Sequence, residues 1–174
     1  MLRGGDRTLL LNGEVVLQTQ PHTDWGAAIT AHLFLPLQRD RCWQQLTNYP
    51  RWVEFFPDIT RSNVITSPPA QHWKQIYQAA CKNFFLFSAR VEVYLRVLEV
   101  SSAQQQQIQF RMERGNFSDF SADLYLQDWQ GGTLLTYAVR ATPLLPVPSM
   151  VLEQAMRMDL PNNMRQMRRV LCSR

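Results

Sequence analysis

Residues 149–171 read SMVLEQAMRMDLPNNMRQMRRVL. Leu152, Met156, Leu160, Met164, Met167 and Leu171 recur there at three- and four-residue steps, which sets them on one stripe of an α-helix. Ser149 has the chemistry of an N-cap. Pro161 removes one backbone hydrogen bond from the helix interior, so a bend is expected there. An apolar helical stripe must be buried against another element. What precedes this helix decides what that element is.

Upstream the apolar period falls from three or four to two. In FFLFSARVEVYLRVLEV, residues 84–100, the side chains of Phe85, Phe87, Ala89, Val91, Val93, Leu95 and Val97 share one parity, and Ser88, Arg90, Glu92, Tyr94 and Arg96 the other. This is the alternation of a strand with one dry and one wet face. ITRSNVITS, a turn at 68–70, and HWKQIYQAA precede it as two further strands. After the polar turn SSAQQQQ, QIQFRM directs Ile108, Phe110 and Met112 inward, and FSADLYLQ does the same with Phe120, Ala122, Leu124 and Leu126. A tight hairpin is expected at Gly131-Gly132. TLLTYAVRA then closes the meander with Leu135, Tyr137 and Val139 on the core side. The three prolines of TPLLPVP, residues 142–148, cannot sit in a central strand and make a stiff connector into the final helix.

Toward the N-terminus, residues 25–35 alternate again through Trp25, Ala27, Ile29, Ala31, Leu33 and Leu35. Cys42, Trp43 and Leu46 follow at helical spacing, and RWVEFFPD supplies one more helical turn with Trp52, Phe55 and Phe56 grouped. Residues 1–24 read as an extension carrying one strand around GEVVLQTQ. The order is strand, two short helices, about six antiparallel strands and one long helix, without internal repeats. Strands joined by short turns pair with their neighbours. The prediction is therefore one α+β domain over residues 25–174, in which a curved antiparallel sheet of about seven strands wraps around the long C-terminal helix.

The totals agree with a single domain. A chain of 174 residues buries about two-thirds of its unfolded surface. The net charge of +4 comes almost wholly from arginines scattered along the chain, which argues against a nucleic-acid partner. Three cysteines, Cys42, Cys81 and Cys172, at no metal-like spacing argue against disulfides and structural zinc. No run approaches the ~18 apolar residues of a membrane span, and TLLL is too short for a signal-peptide core. A cytoplasmic protein is expected, or one peripheral to a membrane.

Four passages in this order resemble the polyketide cyclase/dehydrase and coenzyme-Q-binding branch of the START-like (SRPBCC) superfamily. The first is LPLQRDRCWQQLTNYPRWVEFFPDITRSNVI at 35–65. The second is the strand ending RVLEV, answered by IQF. The third is FSADLYLQD at 120–128, similar to the family's F-x-G-x-W-x-L, with Ala122 at the glycine and Leu124 at the tryptophan. The fourth is MDLPNNMRQMRR at 158–169, similar to D-L-P-x-N-L. The resemblance covers roughly residues 25–171. It implies the helix-grip fold and an apolar cavity beside the last helix, and the changes at Ala122 and Leu124 alter the bulk of the cavity wall.

Parity and position then nominate the ligand-binding residues. Trp52, Phe55, Phe56, Trp73, Tyr77, Phe85, Phe87, Phe120, Leu124 and Tyr137 are expected to converge on the interior. Met156, Leu160, Met164 and Met167 should face them, methionine offering an adaptable surface to a flexible apolar ligand. Gln75, Tyr77, Tyr137 and Asn63 are candidates to orient a polar end. No catalytic residue, metal ligand or cofactor site is expected: His22, His32 and His72 are far apart in sequence, and Asp119 and Asp123 fall on an outward face. Arg61 and Arg140 would polarise a carbonyl only if a bulge turned them inward. Three readings follow: a carrier of a lipid, quinone, polyketide or isoprenoid; an aromatase/cyclase-type enzyme; and an interaction module with a collapsed cavity. The basic end of the last helix, in the loose concentration Arg157, Arg165, Arg168, Arg169 and Arg174, suggests peripheral contact with anionic membrane.

Overall fold

A computed structural model describes residues 4–84 and 87–173; the expected contributions of Phe85 and of the Phe87 side chain lie outside the described residues. The elements are α1 (Gly4–Leu11), β1 (Val16–Gln20), β2 (Ala27–Leu35), α2 (Arg39–Leu46), a 3₁₀ turn (Tyr49–Arg51), α3 (Trp52–Phe55), β3 (Ile59–Thr66), β4 (Trp73–Phe84), β5 (Phe87–Ser101), β6 (Gln105–Gly115), β7 (Phe117–Trp129), β8 (Gly132–Pro143) and α4 (Ser149–Cys172). The strands form one antiparallel sheet of eight, ordered β1-β2-β8-β7-β6-β5-β4-β3. α4 and the α2–α3 region close its concave face, and one apolar core joins all of them.

Alternation predicts the core parity of most strands. Val93, Leu95 and Val97 of β5, Ile108 and Phe110 of β6, and Ala122, Leu124 and Leu126 of β7 are all buried. The boundaries are less legible. The run FFLF is divided: β4 continues to Phe84 and β5 starts at Phe87, its cross-strand partner. Trp25, expected inside, is half exposed in the turn before β2. The last hairpin turns one residue earlier than Gly131-Gly132, through Gln130 (φ 51°) and Gly131 (φ 76°), with Trp129 paired to Gly132. Two consecutive positive φ values suit the right-handed twist of the flanking strands. Gly132 is needed for another reason: a Cβ there would lie 2.4 Å from the Leu35 carbonyl oxygen.

α4 runs unbroken through Pro161, and its N-cap is Pro148 rather than Ser149. The Ser149 amide instead donates to the Asp24 carbonyl at 3.1 Å. This ties the start of the helix to the turn before β2.

The helix α1 is not apparent in the sequence, because LLL supplies an apolar cluster without a repeat. Its Leu10 is fully buried on the convex side of the sheet against Phe34 and Leu134, with Val16 and Trp129 at the margin. On the same side His32 Nδ1 meets Thr136 Oγ1 at 2.9 Å, while Nε2 is buried without a partner among the described residues. Burial lowers the His32 pKa from its ordinary 6.5. The fold therefore prefers the neutral ring, and the unfolded chain binds the extra proton. Stability is expected to be intact above about pH 6.5 and to fall as the pH drops toward the folded-state value. Urea midpoints of wild type and His32→Gln across that window should converge on acidification.

Candidate functional site

The concave side has one solid end and one loose end. At the solid end Cys42, Leu46, Tyr49, Trp52 and Phe55 are buried together. The Trp52 indole donates to the Leu46 carbonyl at 2.8 Å and stacks on Phe56 at a centroid distance of 5.4 Å. Phe110 meets the Trp52 ring edge-on at 5.0 Å. The Ser62 hydroxyl donates to the Tyr49 carbonyl at 2.7 Å, fixing the 3₁₀ turn to β3. Tyr49 in turn donates to Glu99 at 2.7 Å, and burial pushes its phenol up. Burial also pushes the Cys42 thiol up to about 11, so it is an inert core group. Met164, Met167 and Leu171 of α4 complete this packing.

Toward the N-terminal half of α4 the packing thins. Leu152 and Met156 are only half-buried, as are Phe117 and Phe120, whose rings are 5.4 Å apart. Between the two ends lie Phe56, Val93, Tyr137, Val139 and Leu160, all members of the core, which nevertheless keep 6–8% of their surface accessible. Leu124, Leu126 and Leu135 on the same sheet keep none. Tyr137 and Phe56 face one another at 5.8 Å, and the register places Tyr137 beside Leu124 and Val139 beside Ala122.

Tyr137 is the polar member of this group. Burial, reinforced by the Asp123 carboxylate, raises its pKa far above the ordinary phenol range. It therefore stays protonated at physiological pH and offers a hydrogen bond, not a base. Among the described residues none hydrogen-bonds to its hydroxyl.

The structure brings together most of the nominated residues. Trp52, Phe55, Leu124, Met164 and Met167 form the packed wall, and Phe56, Phe120, Tyr137, Met156 and Leu160 border the looser region. Val93 and Val139, core by strand parity, keep 7% and 8% of their surface accessible.

Trp73, Gln75 and Tyr77 are placed on the opposite face. Ile76 pairs with Leu95 and is the inward residue of β4. The other three meet the wet side of β5 and β6: Trp73 lies under the Arg96 guanidinium at 4.8 Å, Tyr77 donates to Glu92 at 2.6 Å, and Gln75 donates to Glu113 at 2.5 Å. Asn63 is exposed, as are Arg61 and Arg140, so neither arginine reaches the interior. We expect Trp73→Ala and Gln75→Ala to leave any interior ligand bound, read as the amount of compound extracted per mole of protein.

The polar residues on other faces are also redistributed. Asp123, expected to be solvated, is buried, with Arg111 donating to its two oxygens at 2.9 and 3.2 Å. Asp119 meets His22 Nε2 at 2.8 Å, while His72 is exposed. Among the described residues no cluster of three or more His, Cys, Asp or Glu could hold a metal ion, and no helix is long and apolar enough to cross a membrane. At the basic end of α4, Arg165 reaches Glu14 at 3.3 Å, Arg168 donates to the Phe34 carbonyl at 3.2 Å, and Arg169 donates to Gln166 at 3.0 Å. Arg165 and Arg169 are nonetheless exposed, and Arg174 lies outside the described residues.

The fold recurs in solved structures. Human StAR-related lipid transfer protein 5 superposes with a TM-score of 0.72 at 10% identity, over 92% of this chain and 81% of that one. A STAR-related lipid transfer protein from Xanthomonas axonopodis gives 0.65 at 11% identity, over 90% and 97%. The Zhui aromatase/cyclase from Streptomyces sp. R1128 gives 0.65 at 9% identity, over 85% and 92%. At such identities the likeness is one of fold. In sequence, no curated protein matches the chain. The profile of the family described as polyketide cyclase / dehydrase and lipid transport, however, matches residues 35–168. With three-quarters of its length so matched, and with a sheet of eight strands closed by a C-terminal helix, the chain belongs to the polyketide cyclase/dehydrase and lipid transport family of START-like proteins.

Proposed function

We propose that this protein binds a hydrophobic small molecule, such as a lipid, quinone, polyketide or isoprenoid, between the sheet and the N-terminal half of α4, and carries it. The observation that supports this most directly is the set of core residues around Tyr137 that keep accessible surface. An apolar wall with one protonated phenol suits a ligand with a long apolar body and a single polar end. The half-buried Met156 can repack around such a body.

Organic extraction of the purified protein followed by mass spectrometry tests the reading. A copurifying apolar compound in near-stoichiometric amount is expected. Absence of any such compound, together with a crystal structure whose interior is filled by side chains, would sink it and leave an interaction module with a collapsed cavity.

A cyclase-type activity is the second reading, and the buried Tyr137 phenol is what favours it. A phenol held protonated can donate to a developing enolate or carbonyl oxygen while the cavity folds the chain. Under that reading Tyr137→Phe abolishes turnover of a linear polyketide thioester while the thioester still binds.

A further inference from the structure

His32 and Phe34 have the opposite parity on β2 to Ile29, Ala31, Leu33 and Leu35, so they point away from the core that α4 closes. The outer face of such a sheet is ordinarily wet. Here α1 lies on it. Leu10 is fully buried against Phe34 and Leu134, and it sets the helix on the strand. One helical turn before Leu10, about 6 Å back along the axis, stands Asp6. Two residues before Phe34, about 6.6 Å back along the strand, stands His32. Asp6 is accordingly half-buried while Gly5, Arg7, Thr8 and Leu9 around it are exposed, and its carboxylate acts on the His32 ring.

The helix is lightly held. Its 8 residues are too few to be stable alone in water, so its order depends on docking. Leu9 and Leu11 contribute little, being 47% and 43% exposed. A surface hydrogen bond from Arg7 to Gln130 at 2.8 Å adds to the anchorage of Leu10.

Beneath the helix sits a group that acid can charge. His32 Nδ1 meets the Thr136 hydroxyl at 2.9 Å, while Nε2 is buried without a partner. A neutral imidazole has one N–H to satisfy, but an imidazolium has two, and only one nitrogen here has a partner. Burying a charge without its hydrogen bonds is costly. The surroundings do not remove that cost. The cross-strand neighbours are Val16 on β1 and Thr136 on β8, both uncharged. Burial and the amino-terminal charge oppose protonation, Asp6 on α1 favours it, and the balance holds the pKa below its ordinary 6.5.

We propose that α1 is an acid-released cover: protonation of His32 lifts the helix from the sheet and bares Phe34 and Leu134, while the body of the sheet stays folded. β2 is paired on both sides, so the ring reaches water by displacing the helix and not the strand. With α1 lifted, His32 titrates as an ordinary imidazole; with α1 docked, it resists the proton. Docking is therefore complete above about pH 6.5 and weakens below it, by up to about tenfold per pH unit until the docked-state value is passed. The device does not depend on what the interior holds.

The test is hydrogen exchange of the full chain, read by mass spectrometry between about pH 5 and 8 with rates corrected for their intrinsic pH dependence. In wild type, protection of residues 4–13 should be present at the upper end and fall by up to about tenfold per pH unit below 6.5. Peptides from β7, β8 and α4 should keep theirs. His32→Gln, which can still bond to Thr136 but does not titrate, should hold protection of residues 4–13 constant across the range. Asp6→Asn provides a second variant should the first fail to fold. It removes the one group that favours the charged ring, so its loss of protection at the acid end should exceed that of wild type.

Unprotected residues 4–13 at the upper end would overturn the proposal, as would protection that ignores pH in wild type. The same acid response in His32→Gln as in wild type would assign the release to another group. Equal or smaller loss in Asp6→Asn would do so too. Simultaneous loss in α1, the sheet and α4 would make the acid response a global unfolding and end the reading of α1 as a separate cover.

Discussion

Trp52→Ala is expected to destabilise the protein by about 3–5 kcal/mol, as removal of a buried tryptophan typically does. In a chain of this size that lowers the melting temperature by roughly ten degrees. The cost has two sources. The indole is sandwiched among Phe55, Phe56 and Phe110, so truncation opens a cavity that these neighbours would have to collapse to fill. Its N–H also satisfies the Leu46 carbonyl at the end of α2, and leaving a buried acceptor unpaired adds about 1–3 kcal/mol. Trp52→Phe separates the two, retaining most of the ring and forfeiting the hydrogen bond. Urea denaturation should rank the three proteins wild type, Trp52→Phe, Trp52→Ala. If the two variants prove equal, the hydrogen bond and not the packing dominates the site.

Val139→Phe is expected to remove the interior ligand while leaving the fold intact. Val139 keeps 8% of its surface accessible, and if the proposed ligand lies against it the added volume takes the ligand's place, where overpacking costs little. The amount of extractable compound should fall by at least about tenfold, equivalent to 1.4 kcal/mol of binding, with the melting temperature held or raised. The same substitution at the fully packed Leu124 would instead strain the sheet. Tyr137→Phe removes only the phenolic donor. It should weaken a ligand with a polar end by up to about tenfold, and leave a pure hydrocarbon unaffected. Full ligand retention in Val139→Phe would place the bound compound elsewhere on the protein.

These two variants probe parts of the molecule that differ in how far they can be read from sequence. The aromatic passage around Trp52 is a local grouping at helical spacing, and its burial follows from the need to shield it. Whether the core leaves room for a ligand beside Val139 is not a local property. It depends on the sum of side-chain volumes from β5, β7, β8, α3 and α4 against the space those elements enclose, and no period in the chain records that sum.

Strand β4 shows the same division at finer scale. In Trp73-Lys74-Gln75-Ile76-Tyr77 the apolar residues occupy both parities, so alternation offers two faces of equal merit. The choice is made by pairing: Ile76 opposite Leu95 shares the core side of β5, which leaves Trp73, Gln75 and Tyr77 with Arg96, Glu113 and Glu92. One register decision thus exchanges three nominated ligand contacts for a polar surface ladder. The unbroken run FFLF hides the end of β4 at Phe84 and the start of β5 at Phe87 in a similar way, because an apolar run carries no polar punctuation to read.

The sequence by itself determined the long α4 stripe, the core parity of β5 to β8 and the order of elements that names the family, since each of these is written as a repeat between near neighbours. The tertiary structure alone decided that α1 covers one face of the sheet through Leu10, which side of β4 is dry, that the beginning of α4 presents bare apolar residues, and which core residues keep accessible surface. Those outcomes arise from contacts between residues far apart in the chain, where register and enclosed volume, not periodicity, set the energy.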